Sequence, residues 1–288
     1  MNDASLRTSL LDLWQTLGPT AYQMLLGGGY GLYLKQLHLT ATGQRTLVSA
    51  SLWPAPRATQ DLDLLLSADI VADAAEMQAI RNALDRLGYM AVKGSEYLQF
   101  IRHISRTQIV KIDLLTDQLE VLQENAAIQA DERRARPASR RHPPIHAHPT
   151  DGALALHESP LVMEVAGKLS TGKTAVVQIK IPHPFGYLLM KLTAYRDRRG
   201  DTRKDLGRYH ALDVFRIVAM MTEQENAEVR RYIQRFAANA QVQSCTELVR
   251  TAFAGASAAG VLAMREHPLW HNDDELTVFI EIINELFA

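Results

Sequence analysis

The segment Asp61-Leu62-Asp63-Leu64-Leu65-Leu66 has to place two carboxylates on one face of an otherwise apolar strand. Side chains in a strand return to the same face every second residue, so Asp61 and Asp63 point together, roughly 7 Å apart. The leucines make the segment apolar enough for a buried sheet strand that would hold the carboxylates rigidly. Two like charges in a partly dry site repel each other. A bound Mg²⁺ removes that penalty, because it takes hard oxygen ligands and lets substrate phosphates complete its shell. The plainer alternative is a solvated strand end or a helix N-cap.

Upstream lies Gly27-Gly28-Gly29-Tyr30-Gly31-Leu32, between the apolar run Tyr22 to Leu26 and a stretch from Gly31 to Leu39 with helical character. This predicts a short strand, a glycine turn and a helix. Backbone N–H groups of Gly27, Gly28 and Gly29 would approach a triphosphate closely, with the positive end of the helix favouring the anion. Taken alone, the glycines also suit a tight turn with close packing. A third carboxylate follows the expected helix Ala74 to Leu87. The runs Tyr97 to His103 and Gln108 to Leu115 are joined by a hairpin-length connection. If the second run pairs beside the Asp61 strand, Asp113 reaches the same metal site and can accept a proton from an attacking hydroxyl; otherwise it is an exposed strand end.

Phe185, Leu188, Leu189 and Leu192 form an apolar stripe at helical spacing, and Lys191 stands beside it, at the edge of the expected helix. An ammonium there would neutralise phosphates as a point charge. Asp213, on the expected helix Tyr209 to Met221, would orient Lys191 or bind the nucleotide; an ordinary surface ion pair is the other reading.

Glycines at a helix start, Asp-x-Asp on the next strand and a lone Asp on a later strand together resemble the DNA polymerase β-like nucleotidyltransferase superfamily. Gly-Gly-Gly-Tyr-Gly-Leu with Arg57-x-Thr59-x-Asp61-Leu-Asp63-Leu is similar in particular to the AbiEii/AbiGii group, which includes nucleotidyltransferase toxins of abortive-infection and toxin–antitoxin systems. Lys191-Leu192-Thr193-Ala194, Arg198, Arg203-Lys204-Asp205 and His210 to Val214 resemble that group's Lys and Arg-x-Asp segments. The resemblance spans about residues 20 to 220 and departs from the shortest pattern by an insert, Thr40 to Pro56. It implies catalytic roles for Asp61, Asp63, Asp113, Lys191 and Asp213, with Mg²⁺ or Mn²⁺ on the first three. It also implies nucleotide contacts from Gly27, Gly28, Gly29, Arg57, Thr59 and Lys191, an RNA or tRNA acceptor, and a cognate antitoxin partner.

A competing motif has to be set aside. Gly167-Lys168-Leu169-Ser170-Thr171-Gly172-Lys173-Thr174 satisfies the P-loop pattern. A P-loop must open a helix, whereas Thr174 to Ile181 alternates with period two, is β-branched and stops at Pro182. With Leu161 to Ala166 it reads as a β-hairpin whose tip is the Gly/Ser/Thr/Lys stretch.

At 288 residues and 47% hydrophobic, the chain can bury a substantial core, and its net charge of −1 argues against wholesale nonspecific nucleic-acid binding. Arg133, Arg134, Arg136, Arg140, Arg141 and His142 are the clearest basic patch, in a stretch continuing to Pro149 that reads as an exposed linker: either a phosphate contact or a solvated loop. His146 and His148 lack partner ligands at zinc-like spacing. Cys245 is the only cysteine, no run approaches the ~20 apolar residues of a membrane span, and the start of the chain lacks signal-peptide features. A cytoplasmic protein with no membrane partner is expected.

The expected architecture is α/β (α+β): a mixed sheet of nucleotidyltransferase type flanked by helices over residues 1–182, with an extra hairpin, then a helical domain over 183–288 completing a cleft. The expected reaction moves NMP from an NTP to an acceptor hydroxyl. The alternatives are a protein or small-molecule acceptor, and a nucleotide-binding module without turnover.

Overall fold

The computed structural model describes residues 3–56, 59–271 and 273–288. It has a mixed α/β architecture and divides into two units, one of Met1–Gly31, Ala58–Thr150 and His157–Pro182, the other of Leu32–Arg57, Asp151–Leu156 and His183–Ala288. The units are discontinuous in sequence: residues 32–57 and 151–156 belong with the helical segment that begins at His183.

The first unit opens with helix α1 (Asp3–Leu17), whose Leu10, Leu11 and Leu13 are fully buried. Strand β1 is only Met24–Leu26, shorter than the expected Tyr22 to Leu26. Pro19, which has no N–H to donate, lies in a 3₁₀ turn over Gly18–Gln23 that leaves Tyr22 exposed. Helix α2 (Gly28–Thr42) begins three residues before the expected Gly31, so most of the glycine run is helix, and Gly27 alone is the turn. Strand β2 is Asp61–Leu66. A short helix, α3 (Ala68–Ala72), leads to α4 (Ala74–Arg86), which Asp73 caps by accepting from the N–H groups of Ala75 and Glu76. Strands β3 (Met90–Ala91), β4 (Gln99–His103) and β5 (Ile109–Thr116) follow.

The sheet order is β1-β2-β5-β4-β3. β2 and β5 are parallel, joined by the crossover through α3 and α4, and the other pairs on this path are antiparallel. Leu62, Leu64, Phe100, Val110, Ile112 and Leu114 are buried, while the alternate positions carry the polar side chains.

After α5 (Leu119–Gln123), the Arg133 to Pro149 stretch corrects the linker reading. Strands β6 (Ile128–Asp131) and β7 (Arg134–Pro137) form a hairpin, Ala135 bridges Ala147, and β8 (His148–Pro149) pairs in parallel with the end of β5. The apolar positions that hold it down, Ala135, Ile145 and Ala147, are buried completely. Two of the three are alanines flanked by charged or polar residues, which hides the strand pattern in the composition.

Strands β9 (Leu161–Lys168) and β10 (Thr174–Ile181) form the expected hairpin in place of a P-loop. Gly167 is a packing glycine: a β-carbon there would stand 2.9 Å from Leu11 Cδ1 on α1. Thr8 donates to the Lys168 carbonyl at 2.8 Å and Asp12 accepts from the Ser170 N–H at 3.0 Å, which ties the hairpin tip to α1.

The second unit is helical: α6 (Pro184–Arg198), α7 (Arg208–Ala219), α8 (Glu223–Arg235), α9 (Ala240–Ala252), α10 (Ala259–Arg265) and α11 (Leu276–Leu286). α8 starts with a capping box between Thr222 and Glu225. The Thr40 to Pro56 insert is fastened by Leu47 and Val48, whose N–H groups donate to the Met221 and Ala219 carbonyls at the end of α7. Among the described residues, no helix is long and apolar enough to cross a membrane.

Candidate active site

The register of β2 against β5 pairs Asp63 with Asp113 and Asp61 with Lys111, and β4 adds Gln99 opposite Asp113. Residues paired across neighbouring strands share a face, and strands lie about 4.8 Å apart. Asp61, Asp63, Lys111, Asp113 and Gln99 therefore form one polar patch on one face of the sheet. The opposite face of β2 and β5 is mostly buried hydrocarbon, which Phe100 of β4 joins, so these side chains stand on a rigid base.

Asp113 is held from two sides: Gln99 Nε2 donates to its Oδ1 at 2.7 Å, and Lys111 Nζ lies 2.9 Å from its Oδ2. Lys111 also reaches Asp61 Oδ1 at 3.7 Å. Burial pulls the Lys111 ammonium down, but the hydrogen bond and charge of Asp113, with the charges of Asp61 and Asp63, outweigh it and leave its pKa raised. Asp113 is the least exposed of this trio, with 15% of its side chain open against 27% for Lys111 and 43% for Asp61. The Asp61 end thus opens toward solvent while Asp113 sits deeper.

The glycine run meets this patch through Asp63. Gly27 N–H donates to the Asp63 carbonyl at 2.8 Å, and Gly28, at φ +64°, opens α2 directly against the Asp63 carboxylate. A β-carbon at residue 28 would lie 1.7 Å from Asp63 Oδ2, so only glycine fits. The N-terminus of α2 therefore adjoins the acidic face. Thr59 accepts from the Asp61 N–H at 3.2 Å and fixes the entry to β2, while Arg57 lies outside the described residues.

The second unit holds the other two expected residues. Lys191 does not stand at a helix edge: α6 is buried from Pro184 through Thr193, because apolar neighbours cover it on every side. Lys191 Nζ pairs with Asp213 Oδ2 at 2.7 Å, and Arg216 Nη1 approaches Asp213 Oδ1 at 3.5 Å. Asp213 has no exposed side-chain surface. This is a buried ion-pair network, extended by the hydrogen bond from Arg216 Nη2 to Gln36 Oε1 at 3.0 Å. Asp205 lies in a 3₁₀ segment at positive φ and pairs with Arg208 at 3.1 Å.

Two members of the acidic patch escaped the sequence reading. Lys111 carried a usable signal, being two residues before Asp113 on the same strand and so on the same face. Gln99 carried none, since only the β4–β5 register brings it to Asp113. His146 and His148 have separate surroundings: His146 is buried against Tyr97, and exposed His148 donates from Nδ1 to the Arg133 carbonyl at 2.9 Å.

For Mg²⁺ the donor chemistry fits, with Asp61, Asp63 and Asp113 supplying hard oxygens from one rigid face. Among the described residues no three His, Cys, Asp or Glu side chains are grouped closely enough to hold a metal ion as they stand, and Lys111 is a cation that faces two of these carboxylates. Its flexible stem allows the ammonium to yield to a divalent ion. Comparison of the chain with protein-family models, with curated proteins and with solved structures finds no match.

Proposed function

We propose that this protein is a metal-dependent nucleotidyltransferase, moving NMP from an NTP to an acceptor hydroxyl with release of pyrophosphate. The observation that carries the reading is the Asp63–Asp113 register pair, with Asp61 on the same face and Gly28 against Asp63. Three carboxylates on one rigid face beside a glycine-led helix start are suited to an Mg²⁺-bound triphosphate. Asp61, Asp63 and Asp113 would hold Mg²⁺ or Mn²⁺, which supplies charge neutralisation at the phosphates. The first N–H groups of α2 bind phosphate oxygens. Asp113, kept in place by Gln99, takes the proton of the acceptor hydroxyl. Lys191 and Asp213 act as a positioning pair within the helical unit. The AbiEii/AbiGii resemblance extends the proposal to an RNA acceptor such as tRNA, a toxin role and a cognate antitoxin.

One observation favours a second reading. Lys111 already compensates Asp61 and Asp113, so the patch can exist without a metal, as a nucleotide-binding module without turnover would require. Incubating the protein with each α-labelled NTP, Mg²⁺ and total RNA, beside an Asp61→Ala/Asp63→Ala variant, separates the two. Label in RNA that the variant loses supports transfer; label in protein or a small molecule changes the acceptor alone. No label in any acceptor, with nucleotide binding retained, favours the binding module.

A further inference from the structure

A second cluster of chemistry-bearing side chains lies in the sheet-bearing unit, on the segment leading into β4. Tyr97, two residues before Gln99, stacks on His146 with ring centroids 4.7 Å apart and planes 23° from parallel. The His146 N–H donates to the Tyr97 carbonyl at 2.8 Å, so the backbone itself fixes the ring pair. The Tyr97 residue is 43% exposed and His146 only 3%, which makes Tyr97 the open half of a platform and His146 its floor.

The two sides of Tyr97 differ: a larger cavity that Tyr97, Arg134 and His146 also line includes Glu96, Asp131 and Glu132, whereas the smaller one is cationic. Tyr97, Arg134, Arg136, His142, Pro144 and His146 line this smaller cavity of about 310 Å³, with no acidic lining residue. That volume is at the lower end for small-ligand sites. Arg134 and Arg136 flank buried Ala135 on β7 and so project from the opposite face together. The Ala135–Ala147 bridge, with N–H···O distances of 2.7 and 3.0 Å, anchors that strand beside His146. Arg134 meets Asp131 in an open surface pair at 3.4 Å, and Arg136 donates to the neutral Gln129 side chain and, at 3.2 Å, to the Pro137 carbonyl. Both guanidinium groups can turn to a phosphate at little cost.

His146 supplies a further sign of a missing group. Among the described residues neither ring nitrogen has a hydrogen-bond partner, although both are buried, and buried polar atoms in native structures are ordinarily satisfied. Burial, followed by the charges of His142, Arg134 and Arg136, pushes its pKa down to about 4, so the floor of the stack is a neutral aromatic ring at pH 7.

We infer that this cavity is a nucleotide-unit site, in which a base stacks on Tyr97 and its phosphate is held by Arg134 and Arg136. A planar π-face beside paired guanidinium groups is the chemistry that recognises unpaired nucleic acid or a free nucleotide. An acidic peptide would use the arginines but has no planar group for Tyr97. The proposal stands apart from the transfer reaction and needs no metal.

The test is fluorescence anisotropy of the full-length protein with a short, mixed-sequence, fluorescein-labelled single-stranded RNA. Tyr97→Ala should weaken binding on the order of tenfold while Tyr97→Phe keeps it, as stacking requires. Arg134→Ala/Arg136→Ala should flatten the dependence of log affinity on log salt by about 0.7, one phosphate contact on a single strand. AMP or UMP competing at micromolar concentration would name the free nucleotide as the source, and competition by oligonucleotide alone would name a strand. Asp61→Ala/Asp63→Ala should bind like the wild type, so loss of transfer and loss of this site are read separately. No RNA binding by the wild type, equal binding by Tyr97→Ala with an unchanged melting temperature, or displacement by polyglutamate at matched charge would each overturn the inference.

Discussion

Gly28 and Asp63 are mutually exclusive with any side chain at position 28, because a β-carbon there would stand 1.7 Å from Asp63 Oδ2 and 2.6 Å from Asp63 Cγ. Residue 28 also sits at φ +64°. Gly28→Ala should therefore cost about 2–4 kcal/mol, combining left-handed backbone strain with overpacking. Urea denaturation of Gly28→Ala, Asp63→Ala and the double variant resolves the two terms. Shortening Asp63 should remove the overpacking part and leave the backbone part, so a fully additive pair of effects would contradict this account.

Lys111 stands between Asp61 and Asp113 as a counter-charge to both. Lys111→Met should lower metal-free stability by about 1 kcal/mol or less, the worth of a partly exposed pair. The same substitution should enlarge the gain in melting temperature on adding Mg²⁺, since the ion no longer competes with an ammonium. A tenfold tighter site adds about 1.4 kcal/mol at saturating metal. A Mg²⁺ response absent from both proteins would remove the metal from the proposed site.

Asp213 holds two cations in the helical unit while being wholly buried itself. Asp213→Ala leaves Lys191 and Arg216 buried without that carboxylate and should cost about 3–5 kcal/mol. Adding Lys191→Met to Asp213→Ala should recover part of the loss, because one uncompensated charge disappears. Chemical denaturation of the series reads both effects, and a loss below about 1 kcal/mol for Asp213→Ala would show that water reaches the network.

The acidic face was legible because its signal is local. Alternation within β2 and within β5 decides which side each carboxylate takes, and the leucines and isoleucines between them show that the other side is buried. The same rule exposed the P-loop pattern as a hairpin, since the β-branched alternation of Thr174 to Ile181 excludes a helix at Thr174. Lys111 is placed by the same alternation, two residues before Asp113 on β5. Features set by long-range packing were not legible. Gln99 depends on a strand register, the burial of Lys191 depends on helices covering α6 from all sides, and the hairpin around Ala135 depends on Ala147 arriving beside it. The insert gave no sign of its attachment, which rests on backbone hydrogen bonds to the end of α7.

His157 and Asp117 act on the acid limb of stability in opposite senses, and His146 adds to the His157 side. Burial first, then the charge of Lys180, pushes His157 down to about 4, and among the described residues its buried Nε2 has no hydrogen-bond partner. Between about 4 and 6.5 the unfolded chain binds more protons at this position than the folded one, so stability falls as pH falls through that window. Asp117 behaves oppositely. Burial raises it to about 6, against the N–H of Ala68, which donates to its carboxylate at 3.0 Å. The folded chain therefore binds more protons there between 3.8 and about 6, and stability rises as pH falls. Asp117→Asn keeps an acceptor for Ala68 and removes the charge, so it should stabilise the protein at pH 7 by about 1–2 kcal/mol and steepen the remaining acid loss. His157→Gln should flatten that loss. Melting temperatures from pH 7.5 to 4.5 for the wild type and both variants test the pair, and parallel curves for all three would place the titration elsewhere.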